Sequence, residues 1–193
     1  MSSLADDLVN AEIRNYQNNT FIPESLFKSL LTDERIRDHF ESTDSLRAIE
    51  EPKKQACLQT VLKGGRRTFA VLVLISCDNI ILEFMERDPM REGWTIDSNL
   101  PYSDDSLGSI FPLTMARYAK QFQQEQWKLL VPVFKEDTLH RFFSQQTILP
   151  FQYDGYRDSG GFGDVFRVEL FASHQTIDPE PRKAVGISVG QSY

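Results

Sequence analysis

TFAVLVLISCDNIILEFM, residues 68–85, is the stretch on which the fold turns. Its β-branched residues, Val71, Val73, Ile75, Ile80 and Ile81, suit two strands turning at Asp78-Asn79. Its length and near-continuous apolarity suit equally a buried helix followed by a second one. The helical reading is preferred here, and with it the first 125 or so residues become mostly helical. The run Phe69–Met85 is interrupted by Ser76, Asp78, Asn79 and Glu83. It therefore falls short of the roughly 18 uninterrupted apolar residues that a membrane span requires.

On the N-terminal side of this stretch, Leu4, Leu8, Ile13 and Tyr16 form a weak helical stripe. Pro23 and Glu24 open a short segment in which Leu26, Leu30 and Leu31 share a face, proline being tolerated at a helix start. Thr32 is placed to cap the next helix, its hydroxyl accepting from a free amide of the first turn, and Ile36 and Phe40 follow at i, i+4 spacing. After a break over 42–52, a further helix is expected at 53–62, interrupted by Gly64 and Gly65. Lys63, Arg66 and Arg67 read as a solvated helix flank or loop. On the C-terminal side, 88–107 is expected as loop, with Pro89, Pro101 and the acidic pair Asp104-Asp105, and 111–124 as helix. Trp127, Leu129, Leu130, Val131, Val133 and Phe134 form an apolar cluster expected to pack the N-terminal part onto the C-terminal segment.

Composition narrows the function classes. The 193 residues carry a formal net charge of −7, which argues against a broad phosphate-neutralising face and so against a nucleic-acid partner. Cys57 and Cys77 each lie in apolar stretches and read as reduced, packed thiols, with no metal-ligand spacing. Met1–Asn10 contains Asp6 and Asp7 and no apolar segment of the kind that opens a signal peptide. The expectation is a cytoplasmic or nuclear protein with no membrane partner.

From Ile148 the character changes. Phe151, Tyr153, Tyr156, Val165, Phe166, Val168 and Leu170 bring aromatic and β-branched residues around the glycine cluster SGGFG, 159–163. Val165, Arg167 and Glu169 alternate with Phe166, Val168 and Leu170, the period of a strand. A strand, a glycine loop and a second strand make a hairpin. Glycines at its bend let backbone amides approach a phosphate, because no Cβ stands in the way. Gly160, Gly161 and Gly163 would supply such amides, Phe162 could close over the phosphates, and Val165 could lie against a flat base. The dinucleotide-binding motif G-x-G-x-x-G must open a helix, and here a strand follows.

With that strand context, 159–168 resembles the glycine-rich loop of eukaryotic protein kinases, G-x-G-x-x-G-x-V. Gly160 matches its second glycine, Gly163 its third, Phe162 the aromatic before that glycine and Val165 the valine, while Asp158 stands where the first glycine belongs. The wider segment, from Leu149-Pro150-Phe151 through GGFGDVFRVEL to His174, resembles a group of filamentous-fungal protein-kinase-like proteins, as do RRTFAVLVLI (66–75), DSNLP (97–101) and QWKLLVPVF (126–134). The resemblance implies a helical region followed by the start of a kinase N-lobe, with ATP, accompanied by Mg in the family, as the cofactor.

Phosphoryl transfer also needs a lysine on the third strand, a catalytic-loop Asp and metal-binding Asp and Asn groups. After the hairpin come Arg182-Lys183-Ala184-Val185-Gly186-Ile187, with no lysine after Ala184-Val185, and Lys183 is out of register. Leu139-His140-Arg141-Phe142 precedes the glycine loop and has Phe142 in place of the H-R-D aspartate, and no D-F-G is present after it. No catalytic residue is assigned. The expected organisation is a helical region over 1–147, the start of the kinase lobe over 148–177, and a disordered or aberrant tail over 178–193, with Pro179 and Pro181 in a loop. The fold class is mainly α with a small C-terminal β-hairpin, α+β overall. Two functions are expected: the N-terminal fragment of a serine/threonine-type protein kinase, truncated before its catalytic groups, or a non-enzymatic helical module that binds a protein partner.

Overall fold

A computed structural model of the chain describes residues 2–87, 95–135, 142–160, 163–176 and 187–188. Helix α1 (Leu4–Asn10) is followed by a short antiparallel ladder, β1 (Ile13–Arg14) with β2 (Thr20–Phe21). Then come α2 (Glu24–Leu30), α3 (Asp33–Ser42), the single turn α4 (Asp44–Arg47), α5 (Glu51–Gly64) and α6 (Arg66–Leu74). Helices α7 (Ile81–Arg87), α8 (Asp104–Ile110) and α9 (Ala116–Glu125) complete the helical body. The architecture is mainly α with a small C-terminal sheet.

The ambiguous stretch 68–85 is helical, and its burial explains why. Thr68, Phe69, Ala70, Val71, Leu72 and Val73 are each at most 2 % exposed, so α6 is surrounded on every face. A helix apolar all round belongs in a core, where packing outweighs the modest β-preference of valine and isoleucine. Its first turn lacks a local cap, since Gly65 precedes it. Asp97, thirty residues beyond Arg67, replaces that cap. Its carboxylate accepts from the amides of Arg67 at 2.9 Å and Thr68 at 2.8 Å, and from the Thr68 hydroxyl at 2.8 Å. Burial pushes the Asp97 carboxyl above its ordinary range, against the pull of those donors and of Arg67. Gly64 makes room for the same loop: a Cβ there would lie 2.4 Å from Thr95 Cγ2.

Helix α6 ends where Ser76 takes φ 55°, and the Cys77 amide reaches back to the Leu72 carbonyl at 2.8 Å. This is a left-handed helix stop normally filled by glycine. Asp78 begins the turn between α6 and α7, where the two-strand alternative would have placed a hairpin bend. There it meets His39 Nε2 of α3 at 2.8 Å and the Ser45 hydroxyl at 3.1 Å. Burial alone would raise the Asp78 carboxyl, but His39 and Ser45 overcome it and hold the group below its ordinary value. On the far side, Phe84 of α7 stacks on Phe122 of α9 at 5.2 Å and meets Tyr102 edge-on at 5.1 Å. Phe40 of α3 stacks on Phe69 of α6 at 5.3 Å.

Several local expectations hold. The Thr32 hydroxyl accepts from the Arg35 amide, and Ile36 and Phe40 are fully buried. The two cysteines are free and buried, and desolvation lifts Cys57 to about 11, leaving it an unreactive thiol. Others are corrected. The stripe from Leu4 to Tyr16 stops at Asn10, because Ile13 and Arg14 pair with Phe21 and Thr20. In α2 the buried side chain is Phe27, while Leu26 is 40 % exposed and Leu30 half-buried; of the expected face only Leu31, at the helix end, is buried. Asp104 and Asp105 open helix α8, where the Ser103 hydroxyl caps the first turn and the carboxylates favour the helix N-terminus. Arg66 and Arg67 are not a solvated flank. Arg66 bonds the Leu31 carbonyl and Asp33, while Arg67 bonds the Leu129 carbonyl at 3.0 Å and Glu24 at 2.7 Å, with its guanidinium over the Phe27 ring.

After Gln126–Lys128, one turn of 3₁₀ helix, the chain runs irregularly to Phe134, which bridges Gln175 beyond the C-terminal sheet. Strand β3 (Phe151–Gly160) pairs antiparallel with β4 (Gly163–Leu170), and β4 with the two-residue β5 (Ile187–Ser188). In the expected disordered tail, Ile187 and Ser188 are the described residues. They lie against Phe166 and Val165, where the outer edge of β4 offers them backbone partners. The proline loop expected at 178–183 lies outside the described residues. Among the described residues, no helix is long and apolar enough to cross a membrane.

Two substitutions test the helix ends. Asp97→Ala leaves two amides and a hydroxyl without their acceptor and should cost about 2 kcal/mol, measured by urea denaturation. Ser76→Gly should add about 0.5–1 kcal/mol in the same measurement, because relief of the left-handed conformation outweighs the added freedom of the unfolded chain.

Candidate functional site

The glycine hairpin is built by strand pairing. Gly160 lies opposite Gly163, Ser159 opposite Asp164, and Asp158 opposite Val165. Near the base, Phe151, Gln152 and Tyr153 pair with Leu170, Glu169 and Val168. Between these two sets the register shifts, so that Asp154 to Tyr156 of β3 lie opposite Arg167 of β4. Such a bulge bends its strand and increases the local twist. The structure thus brings three of the five expected site residues, Gly160, Gly163 and Val165, to the far half of the hairpin. Gly161 and Phe162 lie outside the described residues. At about 3.4 Å per residue, the eight residues of β4, which run opposite Phe151 to Gly160, put the glycine end about 24 Å from the base.

The base of the hairpin is held by residues the glycine motif does not include. Asn15, 5 % exposed, donates from Nδ2 to the Leu149 carbonyl at 3.0 Å. Its Oδ1 accepts from the amides of Gln17 at 3.0 Å and Asn19 at 2.9 Å, so one side chain shapes the β1–β2 turn and grips the strand entry. The Tyr16 amide donates to the Phe151 carbonyl at 3.1 Å, and the two rings stack at 6.5 Å. On the exit side, the Phe171 amide donates to the Pro150 carbonyl, and the Phe171 ring meets Phe21 edge-on at 5.4 Å.

Past β4, one turn of 3₁₀ helix (Ala172–His174) delivers His174 into the helical body, where it is 1 % exposed. Its Nε2 accepts from the Glu24 amide at 3.1 Å, and its Nδ1 donates to the Pro132 carbonyl at 3.1 Å. The Phe134 amide donates to the His174 carbonyl at 2.8 Å, and the Thr176 amide to the Phe134 carbonyl at 2.9 Å. Phe134 also packs its ring against Phe151 at 5.6 Å. The apolar segment 127–134 therefore meets the hairpin and its exit through Phe134 and the Pro132 carbonyl. Trp127 is partly buried, with an indole N–H that has no partner among the described residues.

Sequence reasoning placed the glycines but missed Asn15, Phe21, Glu24 and His174. Their partners are up to 150 residues distant, and no local pattern announces such pairs. Of the kinase-like elements, His140 and Arg141 lie outside the described residues, and Phe142 is fully exposed. Among the described residues no His, Cys, Asp and Glu cluster could hold a metal ion. Two surface depressions lie away from the hairpin. One, of about 340 Å³, is bounded by Arg87, Tyr102, Ser106 and Ser109; the other, of about 680 Å³, runs between α1, the end of α6 and α9.

No protein-family model, curated protein or solved structure matches the chain. The kinase-like resemblance rests on its own sequence motifs.

The anchoring is testable at one side chain. Asn15→Ala removes three hydrogen bonds and should cost about 2 kcal/mol. Amide exchange of Tyr16 and Phe171 should accelerate more than that of α6, as expected for a local opening of the hairpin base.

Proposed function

We propose that the chain is the N-terminal part of a serine/threonine-type protein kinase, in which a helical body carries the glycine-rich hairpin of the nucleotide-binding lobe. The observation that supports this reading is the antiparallel hairpin with Gly160 opposite Gly163, a strand–glycine–strand arrangement in place of the strand–helix of dinucleotide folds. In this reading the amides of Gly160, Gly161 and Gly163 face the phosphates of ATP, Phe162 covers them and Val165 borders the base. Phosphoryl transfer is not assigned to these 193 residues, because no A-x-K lysine, H-R-D or D-F-G is among them. Nucleotide affinity is weak, since a kinase site is a cleft between two lobes and a hairpin supplies few of its contacts.

A second reading is favoured by where the core lies. The apolar core is concentrated in the helical body, and an open groove borders α1, α6 and α9. A helical module that binds a protein partner would use such a body and treat the hairpin as an appendage.

Thermal unfolding with and without Mg-ATP separates the two. At a few millimolar Mg-ATP and a millimolar Kd, the first reading expects about 1 kcal/mol of stabilisation, a rise of ~2–4 °C. The rise should vanish in the Gly160→Val, Gly163→Val double variant, where side chains obstruct the phosphate approach. An unchanged Tm for the unaltered chain removes nucleotide binding and leaves the helical module.

A further inference from the structure

His174 is the point at which the hairpin enters the helical body, and both its ring nitrogens are committed. Nε2 accepts from the Glu24 amide at the start of α2, while Nδ1 donates to the Pro132 carbonyl. This pair of bonds requires the neutral ring with its proton on Nδ1. A second proton on Nε2 would point an N–H at an N–H, in a place 1 % exposed and walled by the Phe21 ring at 5.4 Å. Both the lost bond and the buried charge oppose docking. Among the described residues, the charged groups that face the ring are the Glu24 carboxylate and the Arg67 guanidinium, which are already paired with each other at 2.7 Å. The carboxylate is therefore engaged, leaving an added proton on His174 without a dedicated counter-charge.

We propose that His174 is an acid-operated latch: its neutral ring seats the base of the hairpin on the helical body, and its protonation unseats the hairpin while the helices stay folded. The latch does not depend on what the glycines bind.

Burial, the largest influence, lowers the His174 pKa from its ordinary 6.5 and Arg67 lowers it further, against the Pro132 bond and the Glu24 charge. Between the lowered seated value and the ordinary one, the released ring binds more protons than the seated ring. Docking is therefore complete above the ordinary value and is lost as pH falls through the seated value.

Hydrogen exchange of the full chain tests this, with rates divided by the intrinsic rate at each pH. Between about pH 7.5 and pH 5, protection in residues 149–153 and 169–176 should fall roughly tenfold or more, while protection in 66–74 changes less than about twofold. Loss in both regions together, or in neither, overturns the latch. His174→Gln offers Nε2's position a neutral acceptor and should hold the hairpin protected at both pH values; an acid loss as large as in the unaltered chain overturns the proposal. Should the variant fail to seat the hairpin even at the higher pH, the ring titration of His174 in the unaltered chain, read by NMR, decides. A midpoint coincident with release supports the latch, and midpoints separated by more than about one pH unit overturn it.

Discussion

Helix α6 is enclosed on every side, and the rest of the helical body depends on that enclosure. A segment rich in valine and isoleucine is held as a helix where α1, α3, α5, α7 and α9 surround it, since burial on every face outweighs its β-preference. The enclosure leaves its N-terminal amides without water. Asp97 supplies an acceptor from a distant turn, and Arg67 of the same first turn commits its guanidinium to Leu129 and Glu24. The N-terminus of α6 is thus joined to α2 and to the irregular segment that leads towards the hairpin. Buried polar groups demand partners, and here those partners decide how the elements are arranged.

From that joint a continuous set of contacts leads outward. Glu24 holds Arg67 with its carboxylate and His174 with its backbone amide, so the start of α2 touches both the core helix and the hairpin exit. Asn15 and Tyr16 hold the hairpin entry from the other flank. An isolated two-stranded hairpin is marginal in water, and this one is stabilised at its base by aromatic packing and by hydrogen bonds from the helical body. The glycine end stands away from those anchors. Whatever the glycines bind, their position is set by the helical body.

Much of the fold was legible because its signals are local. Thr32 before an acidic first turn marks a helix start, and the alternation after Val165 marks a strand. Phe40, Ile36 and Leu8 sit at helical spacing and are buried. The glycine pairing at the hairpin end follows from the same alternation. Errors arose where a local signal had two readings. Asp104-Asp105 suits a loop or a first turn, and the Ser103 hydroxyl decides for the turn. Ile13 and Tyr16 continue a helical stripe on paper, yet the Asn15 side chain organises a turn that pairs Ile13 with Phe21.

The sequence by itself determined the class, a helical body with a glycine hairpin, because turn chemistry, capping and hydrophobic period act between residues a few positions apart. The tertiary structure alone removed the two-strand alternative for 68–85, and decided that Arg66 and Arg67 are structural and that His174 is a buried neutral ring. Each of those outcomes depends on a partner far along the chain. A charge or a polar ring near apolar residues looks solvated until folding brings the group that satisfies it.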